Sequence, residues 1–245
     1  TNIHIHDLCF KYDGARPDYV LEGIDLHISQ GKMTAIVGAS GSGKTTLVKL
    51  LLGFYAPNEG EIRIGDENLS TFNLSWWRTQ CGAVMQEGYL FSDTIARNIA
   101  ISDDEIDLDR LRQAARVANI AEYVEKLPLG YNTKIGQDGQ GVSQGQRQRI
   151  LIARVVYKNP QFIFLDEATN SLDANNERAI VENLSAFYKG KTVIVVAHRL
   201  STVKHADQIV VLDGGKIAET GTHAELTTRH GKYYELVKNQ LELGG

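Results

Sequence analysis

"GASGSGKTT", residues 38–46, decides how the rest of the chain is read. It has the form G-x-x-x-x-G-K-[ST] and lies where that motif has to lie. A short apolar run, "MTAIVG" at 33–38, precedes it, and "TTLVKLLLGFY" at 45–55 follows at helical spacing. Glycines let a backbone wrap closely and aim its N–H groups at phosphate oxygens. The helix that opens there adds partial positive charge. The candidate nucleotide contacts are Gly38, Ser40, Gly41, Ser42, Gly43, Lys44, Thr45 and Thr46. Lys44 is assigned to the β- and γ-phosphates and the Thr45 hydroxyl to Mg²⁺.

A phosphate loop needs acids on the metal side. "FIFLDE", 162–167, is a buried strand ending in two of them. Asp166 is expected to hold Mg²⁺ and Glu167 to take a proton from the attacking water. "VIVVAH", 193–198, ends in His198, expected to face the γ-phosphate. "CGAVMQ", 81–86, ends in Gln86, expected to bridge Mg²⁺ and water. Each strand end read alone is equally a solvated terminus. In an open α/β sheet, however, ligands collect where the strands end. The expected catalytic set is therefore Lys44, Gln86, Glu167 and His198, and the expected Mg²⁺ set is Thr45, Gln86 and Asp166.

The rest of the pattern is organised around this edge. Strand-like runs open the chain ("NIHIHDLCFKY", "VLEGIDLHI"), and "GEIRIGDENL" reads as a hairpin. From 87 to 159 the pattern turns helical, with "IDLDRLRQAARVANIAEYVEKLP" as one amphipathic helix bearing Leu108, Leu111, Ala115, Ala118 and Val124. Strands and helices then alternate again, through a hairpin around Asp213, to a helical end, "HAELTTRHGKYYELVKNQL". The expected fold is α/β: a parallel-sheet core of RecA-like type at 1–86 and 160–245, with an antiparallel β subdomain and an inserted helical subdomain at 87–159.

Composition narrows the function. Net charge is −4 with no basic block, and the isoelectric point is about 6.0; a nucleic-acid partner is not expected. Cys9 and Cys81 lie far apart and read as small apolar fillers in a reducing compartment. No apolar run approaches the ~18 residues that span a bilayer. The chain starts at Thr1 and not Met, and a longer polypeptide with a membrane part upstream is expected. His4 and His6 alternate with Ile3 and Ile5; that spacing could be a metal pair, but it reads first as a solvated strand face. Trp76 and Trp77 read as one buried ring beside an amphipathic lid; the alternative is that one ring lines a groove for a membrane domain's coupling helix.

"VSQGQRQR", 142–149, opens the last helix of the insertion. Ser143 is a plausible N-cap, and Gly145 leaves a backbone N–H uncovered. That is a second anion-binding helix start in a chain whose first already serves one triphosphate. It points to a head-to-tail pair in which each copy completes the other's site.

Here the chain resembles the nucleotide-binding domain of ABC transporters over nearly its whole length. The match is carried by Tyr12 in "FKYDG", "GASGSGKTT", Gln86, "VSQGQ", "FIFLDE", "NSLD" at 170–173 and His198. The resemblance implies an ATPase using ATP and Mg²⁺, with Tyr12 stacking on adenine. It implies that Ser143, Gly145, Gln146 and Asp173 contact the ATP of a second copy. "VSQGQ" departs from the family's LSGGQ at Val142 and Gln144; Gln144 is expected to point away from phosphate and to leave activity intact. "LFSDTIARNIA", 90–100, and "IGQDG", 135–139, resemble the exporter branch. The wording of 36–55 and 76–100 looks most like bacterial peptide exporters with a fused peptidase domain, at the cytoplasmic face of the inner membrane. The rival readings are a soluble ABC ATPase, a phosphotransferase and a non-catalytic ATP-sensing module. A single cassette without coiled-coil arms, the presence of "VSQGQ" with "NSLD", and Glu167 together with His198 argue against them in turn.

Overall fold

The computed structural model describes residues 1–14, 18–85, 88–101, 104–136, 141–166 and 172–241. The chain divides into two compact units. The first comprises Thr1–Cys81, Phe162–Glu167 and Gly190–Gly245; the second comprises Gly82–Gln161 and Ala168–Lys189.

The first unit holds an antiparallel sheet in the order Leu21–Ile28, Ile3–Phe10, Glu59–Ile64, Glu67–Asn68. Alternation fixes its register. Ile3 stands opposite Ile28 on one side and Ile64 on the other; Ile5 stands opposite Leu26 and Ile62. All six are buried, and a slip of one residue would turn them to solvent. The register shifts between Ile5 and Leu8, where Asp7 has φ of 44°. Gly60 crosses that bulge so closely that a Cβ would lie 2.3 Å from the carbonyl oxygens of both His6 and Asp7. Only glycine fits there.

Five further strands of this unit lie in the order Lys216–Gly221, Gln208–Asp213, Met33–Gly38, Thr192–Val196, Phe162–Asp166. The last four are parallel, and Lys216–Gly221 returns antiparallel as the expected hairpin. Their near-continuous apolar runs are buried, as strands covered on both faces require. The register aligns their ends: Leu212 pairs with Gly38, Ile36 with Val196, and Val196 with Asp166. The phosphate loop, Asp166 and His198 therefore leave the sheet at one edge.

The helical end of the chain differs from the sequence expectation of one segment. It forms His223–Arg229 and Lys232–Leu236, followed by a π-helical turn, Val237–Leu241. His230, with φ of 54°, breaks it just before Gly231. The break turns Tyr233 inward, where it is fully buried among Val203, Ile209, Val211 and Leu226. Its hydroxyl lies 2.6 Å from His223 Nδ1. Burial pushes this phenol from the ordinary 10 up to about 12. The unfolded chain releases that proton first, so the stabilisation is complete below about pH 10 and is lost as pH rises toward about 12; linkage puts it at ~2–3 kcal/mol. Denaturant midpoints measured across that window should fall for the native chain and stay flatter for Tyr233→Phe. Parallel slopes for the two proteins would refute the assignment.

The second unit is mainly helical. Its longest helix, Gln144–Lys158, ends at Asn159 in the left-handed region, before Pro160. The helix expected across 106–128 is instead two, Leu108–Val117 and Ala121–Glu125. Asn119, with φ of 56°, interrupts them; asparagine tolerates that conformation better than other non-glycine residues. Leu111, Ala115, Ala118 and Val124 are buried as expected, but Leu108 is 57% exposed. Ile95–Ile99 and Ala174–Phe187 are further helices of this unit, and Asp93–Thr94 pairs with Lys134–Ile135. No helix among the described residues is long and apolar enough to cross a membrane.

Candidate functional site

The loop between Met33–Gly38 and the helix Lys44–Leu51 is held tightly at its base. A Cβ at Gly38 would meet Leu212 O at 2.4 Å and Ser42 Oγ at 2.6 Å. Gly43, the N-cap, has φ of 101°, and a Cβ there would meet Leu21 Cδ2 at 2.7 Å. The Gly215 N–H donates to Ser42 O at 3.2 Å, and Gly215 O accepts from Glu22 N at 2.9 Å. The hairpin turn at Gly215 thus clamps the loop to the neighbouring antiparallel sheet. As a sequence, Asp213-Gly214-Gly215 signals only a turn.

Lys44 lies under the loop. Its Nζ donates to Gly38 O at 2.6 Å and Ala39 O at 3.0 Å. Burial holds the ammonium below the usual lysine range, and the Asp166 carboxylate works the other way. Ser42 Oγ is buried without a hydrogen-bond partner among the described residues. An orphaned buried hydroxyl costs ~1–3 kcal/mol, and a phosphate oxygen is the kind of acceptor it lacks. Ser40 and Gly41 are exposed on the loop's outer side.

Thr45 Oγ1 donates to Asp166 Oδ2 at 3.4 Å. Asp166 is 5% exposed, and its Oδ1 lies 3.3 Å from His198 Nε2. A hydroxyl and a carboxylate side by side are hard oxygen donors. They suit Mg²⁺, which takes one or two protein oxygens and completes its shell with phosphates and water. Among the described residues no group of three His, Cys, Asp or Glu side chains is placed to hold a metal.

Thr46 faces the other way: its hydroxyl lies 2.7 Å from Tyr12 OH. Tyr12 is 42% exposed and stands edge-on to Phe10 and Tyr55, at ring distances of 5.0 and 5.4 Å. Tyr55, which sequence reasoning passed over, fixes the ring's orientation. Gln86 and Glu167 lie outside the described residues.

In the second unit, Ser143 caps Gln144–Lys158. Ser143 Oγ accepts from Gln146 N at 3.1 Å, and Gln146 Oε1 accepts from Ser143 N at 2.9 Å. This reciprocal pair satisfies two orphan donors of the first turn. Gln144 is exposed. Asp173 caps Ala174–Phe187, taking the N–H of Asn176 at 2.8 Å and its Nδ2 at 2.9 Å; these bonds hold its carboxyl below the usual range. Arg149 Nη1 donates to Asn119 O at 2.8 Å and reaches Asn176 Oδ1 at 3.4 Å. It ties the two capped helices together, a link that sequence spacing does not show.

A family model described as "ABC transporter" matches residues 21–170. The chain belongs to the ABC transporter family. It is 46% identical over 235 residues to an ATP-dependent lipid A-core flippase of Cupriavidus pinatubonensis, covering 94% of this chain and 40% of that protein. It is 43% identical over 235 residues to the alpha-hemolysin translocation ATP-binding protein of Escherichia coli O157:H7, covering 95% and 33%. It is 44% identical over 238 residues to ABC transporter B family member 13 of Arabidopsis thaliana, covering 97% and 19%. Among solved structures, a bacterial Atm1-family ABC exporter with ATP bound superposes with a TM-score of 0.91 at 39% identity, covering 97% of this chain and 41% of that one. The chain thus spans less than half the length of each of these relatives. It is an ABC ATPase domain of exporter type with the P-loop NTPase fold.

Proposed function

We propose that this ABC ATPase domain is the ATP-hydrolysing motor of an exporter, and that two copies close head to tail around two ATP molecules. One observation carries the reading: two helix starts suited to phosphate stand on separate compact units. Lys44–Leu51 is served by Lys44, Ser42, Thr45 and Asp166. Gln144–Lys158 is capped by Ser143 and has no acidic residue in its first turn. A single triphosphate bound by one chain leaves the second start without a ligand.

In this mechanism Lys44 exchanges the carbonyls of Gly38 and Ala39 for the β- and γ-phosphates. Thr45, Asp166 and Gln86 would hold Mg²⁺, which would neutralise phosphate charge. Glu167 takes the proton of the attacking water, Gln86 orients that water, and His198 steadies the γ-phosphate. Tyr12 offers its exposed ring to adenine. Ser143, Gly145, Gln146 and Asp173 complete the site of the other copy. Residues 1–86 and 160–245 act as the catalytic core and 87–159 as the helical subdomain.

The motor works on a membrane domain in the same full-length polypeptide, at the cytoplasmic face of the bacterial inner membrane, and not on nucleic acid. Peptide as cargo rests on the wording of 36–55 and 76–100 alone. The relatives' names span multidrug resistance, lipid A-core and alpha-hemolysin.

Size-exclusion chromatography of Glu167→Gln with and without ATP tests the clamp. Blocking hydrolysis should trap a dimer in ATP, and Ser143→Arg should abolish it. A chain that stays monomeric with ATP demonstrably bound would sink the head-to-tail reading for this domain on its own.

A further inference from the structure

The solvent face of the antiparallel sheet carries a feature that nucleotide chemistry does not use. His4 and His27 stand directly opposite each other on Ile3–Phe10 and Leu21–Ile28. His27 Nδ1 lies 3.2 Å from His4 Nδ1 and 3.1 Å from His4 Nε2. Their ring centroids are 4.3 Å apart. Spacing along one strand draws attention to His4 and His6 instead, but those rings are parallel and 5.8 Å apart.

We infer that His4 and His27 form a two-histidine site for a borderline transition-metal ion of the zinc type. Two imidazole nitrogens bound to one zinc at ~2.0–2.1 Å, with an angle of about 100° between them, lie about 3.1–3.2 Å apart. The separations are of that size, but His27 Nδ1 stands equally near both His4 nitrogens, so the His4 ring turns about its Cβ–Cγ bond to aim one in-plane lone pair at the shared ion. Each ring coordinates through a nitrogen that carries no proton and keeps its N–H on the other ring nitrogen. No third His, Cys, Asp or Glu among the described residues joins them in a metal-holding group, so water fills the remaining positions.

Register makes the pair rigid. The flanking pairs, Ile3 with Ile28 and Ile5 with Leu26, are buried on the opposite face. A slip that separated the histidines would expose four aliphatic side chains. The ion therefore binds the folded chain and not the unfolded one, and it cross-links two strands 23 residues apart in sequence. It stabilises the sheet by mass action.

The test uses the untagged chain, free of nucleotide and Mg²⁺, with Zn²⁺ as the probe. Calorimetric titration gives stoichiometry and affinity, and imidazole ¹⁵N shifts report which rings coordinate. Expected are shifts at His4 and His27 together, and loss of one zinc equivalent in His4→Gln and in His27→Gln. The weakening should reach at least the ~10–100-fold seen when a metal ligand's support is disturbed. His6→Gln should keep the site. Unchanged imidazole signals at His4 and His27 in the native chain at saturating zinc overturn the proposal, whatever the variants do. So does a His6→Gln variant that loses the zinc equivalent while His27→Gln keeps it. Zinc held instead at His198 and Asp166 would appear as shifts at His198 alone, which also overturns it.

Discussion

Lys44→Ala should lower ATP hydrolysis by about a hundredfold to a thousandfold, the loss that follows removal of one preorganised donor to transition-state charge. The structure gives the reason for so large an effect. Lys44 is the buried cation under the loop, and its ammonium is already held between two carbonyls, at 2.6 and 3.0 Å. It is poised at the right depth and needs only to exchange partners. Lys44→Arg should rescue little, because a planar fork cannot replace a compact ammonium between those two oxygens. Phosphate release under saturating ATP is the readout, with circular dichroism to show that the variants fold. Activity within threefold of the native domain in Lys44→Ala would end the assignment.

The largest effect on stability is expected at Trp77. Its side chain is 1% exposed, its Nε1 donates to Leu51 O at 2.9 Å, and its ring packs 5.0 Å from Phe162 and 5.9 Å from Phe72. Leu51 is the last residue of the helix that follows the phosphate loop, so one side chain fills the core and closes that helix's end. Trp77→Ala should cost ~3–5 kcal/mol through the cavity left behind. Trp77→Phe keeps most of the apolar bulk and should lose chiefly the hydrogen bond, on the order of 1 kcal/mol. Urea unfolding separates the two. A deficit below about 1 kcal/mol in Trp77→Ala would mean that the ring is not the anchor it looks to be. Trp76, its neighbour, is 54% exposed, so Trp76→Ala should change stability little.

Local chemistry explains which features were legible in the sequence. The apolar run before Gly38 and the helical run after Lys44 could be read together because the motif permits one arrangement of strand, loop and helix. The cap at Ser143 was legible because serine just before a helical run is a local signal; the return bond from Gln146 was not read there. The breaks at Asn119 and His230 were not. The apolar period continues across both, and only the left-handed conformation of one residue interrupts the helix. Contacts across long sequence distances were equally hidden. The clamp of Gly215 on Ser42 and the bond from Tyr12 to Thr46 depend on strand order, which no local pattern encodes. The link from Arg149 to Asn119 depends on helix packing, hidden for the same reason. The pairing of His4 with His27 needed the register, which was fixed by isoleucines on the other face.

The reciprocal bonds at Ser143 separate folding from recognition. With one lone pair occupied by the Gln146 N–H, the hydroxyl retains its proton to give away, so towards any incoming group it acts as a donor. Aspartate caps a helix about as well as serine, but it has no proton to give at neutral pH and brings a negative charge. Ser143→Asp should therefore leave Gln144–Lys158 wound and the melting temperature nearly unchanged, while a second copy carrying ATP is turned away. A chain altered in this way would be a well-folded half of a machine, able to load its own nucleotide and unable to serve its neighbour's.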